Sequence, residues 1–347
     1  MEFIKPGINL DLIGNRRIAF ILSSSLILAT ILLLIWRGGP NYGVDFAGGV
    51  LIQVKLDEKH LPAEIKAALK SVQLQDSIIQ EFGEKENHEY LIRVRKTDLK
   101  LSGLSEKVRQ SLIIEFGQGV EMRRVEMVGP KVGEDLRQKA LFAIFYSILF
   151  IAIYISGRFE LKWLMSIVMA FSLIFVVYLA SGFGIPVSWL ILIALLVTIT
   201  LCWFLKLKYA LGAIIALIHD VTLTMGAFAL TDRDISLSII AALLTIVGYS
   251  LNDTIIVFDR IRENQRRFRR KPFKEIMNIS INETLSRTIL TSTTTLIVIL
   301  ALFILGGGVI HDFAFAILIG VLVGTYSSVF VASPILLIWE GKFVGKK

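Results

Sequence analysis

Eight long apolar blocks alternate with polar segments along this chain of 347 residues. Each block holds about 18 residues or more with few charges, which is the length that crosses a hydrocarbon core of roughly 30 Å. The pattern therefore predicts eight membrane-spanning helices, and Pro334 is expected to kink or end the last one. The predicted blocks are 18–36, 138–156, 163–182, 187–205, 209–230, 235–258, 288–305 and 313–338.

The polar segment 37–137 has a different pattern, in which strand-like alternation and helix-like spacing follow one another. The predicted order is strand, helix, strand, strand, helix, strand, which is that of a ferredoxin-like α+β domain. The expected elements are 50–56, 62–72, 77–82, 89–94, 104–116 and 120–128. The predicted fold class is thus an α-helical polytopic membrane protein that carries a ferredoxin-like α+β domain outside the bilayer.

Composition narrows the class of protein further. Hydrophobic residues make up 54% of the chain, charged residues make up only 19%, and the mean hydropathy is +0.69. Soluble domains carry about a quarter charged residues, so the composition excludes a soluble enzyme and a disordered chain. Cys202 is the only cysteine, which excludes a disulfide-built secreted module.

The net charge of +8 predicts the topology once it is divided along the chain. Segment 37–137 holds 16 basic and 16 acidic residues, so the whole excess lies in the apolar part and its short loops. Lys and Arg favour cytoplasmic loops, and eight crossings with a cytoplasmic N-terminus leave only Arg233 as a positive charge in the opposite short loops. The charge pattern therefore predicts a cytoplasmic membrane protein with both termini in the cytoplasm and segment 37–137 outside.

Ionisable residues inside the predicted spans are candidates for function, because each costs about 2.5–3.5 kcal/mol on an insertion scale. Asp220 lies near the centre of its block beside His219, Asp253 follows Asn252, and Arg287 opens another block. Asp253 can take and give a proton with Arg287 as its electrostatic switch, or the two can form a fixed ion pair that joins two helices. Asp220 can carry a proton, or it can only hydrogen-bond to a neighbouring helix.

Other chemistry is not predicted by the sequence. The chain has no G-x-x-x-x-G-K-[ST] motif, so its energy is expected to come from an ion gradient or a partner. No metal site, cofactor or enzymatic activity is predicted. The basic run 260–274 lacks the aromatic platforms of a single-strand binder, and topology explains its charge, so no nucleic acid partner is expected.

Two motifs carry a family resemblance. The segment GVDFAGG at 43–49 resembles the G-x-D-F-x-G-G motif of the SecD/SecF family. The segment VGYSLNDT at 247–254, which runs into DRIREN at 259–264, resembles the signature of the SecF branch of that family. Further similarity lies in LSRT at 285–288, in His219-Asp220 and in 320–334.

The resemblance implies an accessory subunit of the Sec protein-export machinery, related to RND transporters. Such a subunit pairs with SecD, assists the SecYEG translocon and uses the proton-motive force. It is also expected to contact YajC, membrane lipids and the translocating polypeptide. The resemblance assigns proton transport to Asp253, Arg287, Asp220 and Asn252. It assigns the family motif after the first helix to Asp45, Phe46, Gly48 and Gly49. The alternative is an RND-type proton-coupled exporter of lipids or small molecules.

One part of the chain departs from the family pattern, which normally has six spans. Blocks 163–182 and 187–205 have no counterpart in that pattern, and we expect them to form a peripheral helical hairpin without a role in proton movement. The predicted division is 1–36 (first helix), 37–137 (outer domain), 138–160 (second helix), 161–206 (inserted hairpin) and 207–347 (four helices with a basic cytoplasmic loop, 259–287).

Overall fold

A bundle of long helices carries a small α+β domain at one end. The computed structural model describes residues 9–74, 77–82, 87–94, 103–160, 163–183, 185, 187–306 and 308–343. The helices are α1 (Arg16–Trp36), α2 (Val44–Ala47), α3 (Pro62–Ala68), α4 (Leu104–Phe116), α5 (Pro130–Glu160), α6 (Trp163–Gly182), α7 (Val187–Phe204), α8 (Lys208–Leu230), α9 (Leu237–Arg267), α10 (Phe273–Leu305), α11 (Gly308–Ser327) and α12 (Ser333–Phe343). The strands are β1 (Gly49–Lys55), β2 (Ile78–Phe82), β3 (Glu89–Val94) and β4 (Glu121–Val128).

The small domain has the predicted ferredoxin-like order. Its four strands form one antiparallel sheet in the order β2-β3-β1-β4, so β1 and β2, which the first helix connects, are separated by β3. The alternation in β1 buries Val50, Ile52 and Val54 against the helices, while Val108 and Leu112, one helical turn apart, are buried on α4. The two periodicities that predicted the domain thus form one apolar core.

Six helices in the described part of the chain are long and apolar enough to cross a membrane: α1, α5, α8, α9, α10 and a last segment that covers most of α11 and α12. The predicted extra blocks form two further apolar helices, α6 and α7, of 20 and 18 residues. These two helices pack on each other and on α5. The Trp163 ring lies so close to Gly157 that a Cβ there would come within 2.6 Å of it.

Ion pairs lie at both ends of the bundle. At the end that carries the α+β domain, called here the domain end, Arg37 pairs with Asp232 and Arg233 pairs with Asp312. At the other end, called here the basic end, the ion pairs are Arg158–Asp259 at 2.6 Å and Lys208–Glu340 at 3.1 Å. The backbone of residues 10–13 also lies at the basic end, where it hydrogen-bonds to Asn278 and Asn282 of α10.

Two helices extend further than their apolar blocks predict. Most of the expected loop 259–287 is helical, because α9 continues to Arg267 and α10 begins at Phe273. The extensions keep helical spacing with buried apolar side chains, Ile261 on α9 and Met277 and Ile281 on α10. The apolar blocks end before these extensions because many of the intervening positions are charged or polar. In the same way α5 begins at Pro130, before its predicted block.

The predicted interruption at Pro334 takes the form of a π-helical turn, Ser328–Ala332, between α11 and α12. Proline has no N–H to donate into the helix, and the turn accommodates this loss. The Ser333 hydroxyl donates to the carbonyl oxygen of Ser328 at 2.8 Å and adds a side-chain contact across the turn. Such turns are common at functional sites in helical proteins.

Candidate functional site

Small residues bring four helices into close contact around the middle of α8. In a bilayer, helices associate through close packing and hydrogen bonds, since lipid is as apolar as their side chains. A Cβ on Gly226 of α8 would collide with the side chain of Thr30 on α1, and a Cβ on Gly324 of α11 would meet Ser250 of α9 at 2.9 Å. The Gly320-x-x-x-Gly324 pair therefore makes the close helix contact that its spacing predicts.

Asp220 lies at the centre of this contact and is fully buried. Its Oδ2 accepts hydrogen bonds from the hydroxyls of Ser250 at 2.5 Å and Ser327 at 2.8 Å. Its Oδ1 lies 2.9 Å from Nδ1 of His219. Three groups on three helices, α8, α9 and α11, thus converge on one carboxylate, which is consistent with the rule that buried polar groups are hydrogen-bonded.

The polar cluster continues from His219 to α1. Nε2 of His219 lies 3.2 Å from the Ser23 hydroxyl, which in turn lies 3.1 Å from the Tyr326 hydroxyl of α11. Tyr326 also donates to the carbonyl oxygen of Ala19 at 3.0 Å. The imidazole and the Tyr326 ring are stacked, with centroids 6.1 Å apart. Sequence reasoning missed Ser23, Ser250, Ser327 and Tyr326, because hydroxyl residues in apolar blocks give no signal of which ones will meet.

Asp253 occupies a different environment on the same helix as Ser250. Its side chain is 2% exposed, yet Oδ2 has no hydrogen-bond partner among the described residues. The hydroxyl of Thr288 on α10 is likewise buried and unpaired within those residues. Unsatisfied buried polar atoms are uncommon in proteins and call for a functional or solvent explanation.

Arg287, which precedes Thr288 on α10, has an exposed side chain. It interacts electrostatically with Asp253, but no ion pair joins the two within the described ranges. The fixed ion pair that the spacing left open is therefore not formed in this structure. Measured from the domain end, Asp253 lies about 24 Å along α9 and Arg287 about 27 Å along α10, so the two lie at similar depths.

Asn252 is exposed on α9, beside other small or polar residues that point away from the bundle. Thr245, Gly248 and Asn252 follow one another at helical spacing, and all three are exposed. Together with Arg287 they form a surface that we call the open polar face. A polar surface at membrane depth is costly against lipid, so this face is suited to contact with another protein or with water.

The 43–49 motif joins the α+β domain to the bundle. Asp45 accepts a hydrogen bond of 2.8 Å from the backbone N–H of Leu237, and Phe46 is buried among apolar residues of the bundle. Gly48 has a φ of +72°, and a Cβ there would lie 2.9 Å from the Cα of Pro130, so the turn requires glycine. Gly49 also has a positive φ, +126°, where it begins β1.

Two ion pairs also lie near this junction, at the domain end. The guanidinium of Arg37, and after it the amide of Asn41, donate to Asp232 at 2.6 Å and hold the pKa of that carboxyl below its usual range. The buried Arg93 of β3 pairs with Asp234 in the loop between α8 and α9. The domain is therefore attached to the loop that precedes the helix bearing Asp253.

The fold and the buried carboxylates define a polytopic membrane protein whose transmembrane bundle carries ionisable groups and whose α+β domain lies at one end. Within the described ranges, no three His, Cys, Asp or Glu side chains are placed to hold a metal ion. The family model described as "Protein export membrane protein SecD/SecF, C-terminal" matches residues 108–201 and 189–342. The model described as "SecD/SecF GG Motif" matches residues 34–59.

Curated relatives point to the same family. A protein translocase subunit SecF from Magnetococcus marinus is 41% identical over 349 residues, which cover 98% of this chain and 95% of the relative. A protein of the same name from Calditerrivibrio nitroreducens is 39% identical over 340 residues, covering 97% and 96%. The chain belongs to the SecD/SecF family of protein export membrane proteins, and the predicted role as an accessory subunit of Sec protein export is confirmed.

Solved structures agree with the fold. The crystal structure of SecDF from Thermus thermophilus, titled a translocon-associated membrane protein, matches with a TM-score of 0.71 and 30% identity. A second structure, of SecDF in a super-membrane-facing form, matches with a TM-score of 0.58 and 29% identity. The matches cover 98% and 100% of this chain, but the chain spans only 40% of the length of either SecDF chain.

Proposed function

We propose that this chain works with a SecD partner as a proton-driven subunit that assists polypeptide translocation through the Sec machinery. The observation that carries the proposal is the pairing of a buried, unpartnered carboxylate, Asp253, with the open polar face beside it. The chain supplies two fifths of the length of the SecDF chains that it matches. A second bundle of the SecD type fits against the open polar face and accounts for both features.

The open polar face favours a protein partner for an energetic reason. Arg287 at membrane depth would cost about 2.5–3.5 kcal/mol against lipid on the insertion scale. A partner bundle removes that cost by offering polar groups or enclosed water. RND-like assemblies are built from two repeats with their ion sites between them, and one such repeat is present here.

Within this assembly, the proposed proton carrier is Asp253. Within the described residues its Oδ2 is buried without a partner, so a water molecule can pair with it and a bound proton can remove its charge. Arg287 cannot release its own proton and acts as a counter-charge whose distance sets how readily Asp253 is protonated. Asn252 presents an uncharged donor and acceptor to the partner.

Asp220 is proposed as a second proton site, connected to Asp253 through α9. Ser250, which donates to Asp220, lies one helical turn before Asp253, which is about 4.5 Å along the axis. This short separation makes Ser250 the intermediate group of the proposed path.

The orientation follows from the charges at the two ends. The basic end is proposed to face the cytoplasm together with both termini, in accordance with the preference of Lys and Arg for that side. Segment 37–137 then lies outside the cytoplasm, where a ferredoxin-like domain can contact the emerging polypeptide. Contacts with SecYEG, YajC and membrane lipids belong to the same proposal, and the inserted helices α6 and α7, which pack on α5, are proposed to have no part in proton movement.

The experiment that tests the proposal measures export into vesicles that carry the chain, its SecD partner and the translocon under an imposed proton gradient. Asp253→Asn is expected to abolish gradient-dependent export while the variant still folds and binds SecD. The matched control is Asp135→Asn, at an exposed carboxylate of α5, which is expected to export normally. Normal export by Asp253→Asn protein would refute the carrier role.

A charge exchange separates a proton carrier from a structural pair. The double variant Asp253→Arg with Arg287→Asp retains both charges but moves the carboxylate to α10. A scaffold held by an ion pair would accept the exchange, whereas a carrier at Asp253 predicts loss of export.

A further inference from the structure

Helix α1 is attached to the bundle by very few buried side chains. Only Ala19, Ser23 and Thr30 are buried on α1, and they lie on one face. Thr30 packs against Gly226, and Ser23 contacts His219, so both contacts are with α8. Lipid provides no hydrophobic force to hold α1 in place, so the polar contacts on this face, Ser23 with His219 and Tyr326 and the Ala19 carbonyl with Tyr326, contribute a large share of its attachment.

The hydrogen bonds around His219 fix the roles of its two nitrogens. Oδ1 of Asp220 is an acceptor when the carboxylate is ionised, so Nδ1 of His219 carries a hydrogen and donates to it. Nε2 is then the acceptor, and the Ser23 hydroxyl donates to it. The remaining carboxylate oxygen accepts from Ser250 and Ser327. With a neutral imidazole, every polar group of the cluster is paired.

The cluster can also accept one more proton without leaving any group unpaired. A proton added to Nε2 makes this nitrogen a donor to the Ser23 oxygen. The Ser23 hydroxyl then rotates and donates to the Tyr326 oxygen, while Tyr326 still donates to the carbonyl oxygen of Ala19. The added positive charge neutralises the cluster, since Asp220 carries the opposite charge, and a neutral cluster is favoured inside a bilayer.

We infer that Ser23, His219 and Asp220 form a proton relay that changes the attachment of α1 to the bundle when a proton enters or leaves. The inference rests on the proposed proton-driven function and extends it to a helix that carries no carboxylate at the site. Within the described residues, the titratable side chains in contact with His219 are Asp220 and Tyr326; α1 contributes Ser23, and α9 reaches the cluster through Ser250.

The strength of the hydrogen bond between Nε2 of His219 and the Ser23 hydroxyl connects the added proton with the attachment of α1. A bond donated by a charged imidazolium is roughly twice as strong as one between neutral groups, so α1 is held more tightly when His219 carries the extra proton. The end of α1 leads through Arg37 to the junction with the domain. A proton taken up at Nε2 of His219 can therefore alter how the domain is held.

The test compares Ser23→Ala with Ser24→Ala, because Ser24 is the exposed neighbour on the same helix. The full chain with its SecD partner is reconstituted in vesicles, with Cys202→Ser and spin labels at two exposed positions, Trp36 of α1 and Leu230 of α8. The distance between the labels is measured with and without a proton gradient.

A gradient is expected to change the ratio of close to distant label pairs in the Ser24→Ala protein by about 3- to 15-fold, the range that one intramembrane hydrogen bond supports. Ser23→Ala is expected to lose this response. The inference is overturned if the two variants respond alike, or if the Ser24→Ala protein does not respond to the gradient.

A second measurement reads the relay without any transport. The chain has four histidines, so nitrogen-15 labelling of histidine gives few resonances. The resonances that disappear in His219→Asn are those of His219. The Nε2 resonance of His219 is expected to shift in Ser23→Ala and to stay in place in Ser24→Ala; no shift in Ser23→Ala overturns the relay. Loss of export in Asp253→Asn alongside an unshifted His219 would leave the proposed function standing and refute the relay alone.

Discussion

The Asp45 carboxylate accepts a 2.8 Å hydrogen bond from the backbone N–H of Leu237, the first residue of α9. Asp45 belongs to the short helix after α1, whereas α9 carries both Ser250 and Asp253. A negative charge is favourable at a helix N-terminus, where backbone N–H groups lack partners. This contact therefore connects the entry to the α+β domain with the helix at the centre of the candidate site.

Replacing Asp45 tests the strength of this connection. Asp45→Ala is expected to lower the free energy of unfolding by about 1 kcal/mol, because it removes the side-chain partner of a helix N-terminus. Asp45→Asn keeps an acceptor oxygen and is expected to lose less. Denaturant unfolding of the purified protein gives the values, and equal stability of the wild type and the Ala variant would contradict the capping role.

Gly48 is expected to tolerate no side chain. Its φ is positive, and a Cβ at this position would lie only 2.9 Å from the Pro130 backbone, a clash that no side-chain rotation can relieve. Gly48→Ala should lower the free energy of unfolding by more than about 1 kcal/mol. Gly129→Ala is the matched control, because a Cβ there meets no atom within 4 Å and its φ is not positive. Similar losses in both variants would contradict the role given to the turn.

Gly324 is expected to control the position of Ser250. A Cβ at this position would lie 2.9 Å from the Cβ of Ser250, so Gly324→Ala should push α9 and α11 apart and weaken the hydrogen bond to Asp220. Overpacking of this kind costs about 1–3 kcal/mol. We expect Gly324→Ala to reduce gradient-dependent export, and Gly341→Ala, which has open space, to leave it unchanged. Full export by the Gly324→Ala protein would show that the Ser250 contact is dispensable.

Local patterns predicted the secondary structure well because each element contains its own signal. The alternation in β1 and the helical spacing on α4 depend only on neighbouring residues, and the sheet order follows from the ferredoxin-like sequence of elements. The apolar blocks likewise mark the spans. Their ends were harder to predict, since α9 and α10 continue with charged residues on one face and buried apolar ones on the other.

The candidate site was only partly predictable. The two carboxylates, Asp220 and Asp253, could be found because charges in apolar blocks are rare. Ser23 and Ser250 could not, because the partners of Asp220 depend on which faces of distant helices meet. The sequence also left open a fixed ion pair between Asp253 and Arg287. In the structure the side chain of Arg287 is exposed, and the two residues do not form this pair.

The Arg37–Asp232 pair predicts a small dependence of stability on acid pH. The pKa of Asp232 is lowered in the folded protein, so the pair contributes in full above the ordinary carboxyl value of 3.8 and is lost as the pH falls through the lowered value. Most of the Asp232 side chain is exposed, so the contribution should be at most about 1 kcal/mol.

The measurement is the difference in unfolding free energy between the wild type and Asp232→Ala, at near-neutral pH and at a pH below 3. The difference is expected to shrink at the lower pH and in high salt. A difference that is independent of both would contradict an electrostatic role for the pair.

Proton flux through the assembled complex tests most directly whether Asp253 carries protons. Vesicles that contain the chain and its SecD partner are given a proton gradient, and the internal pH is followed with an indicator dye. We predict that wild-type complexes dissipate the gradient during translocation and that Asp253→Asn complexes, assembled to the same level, do not. Equal proton flux in the two would contradict the carrier role of Asp253.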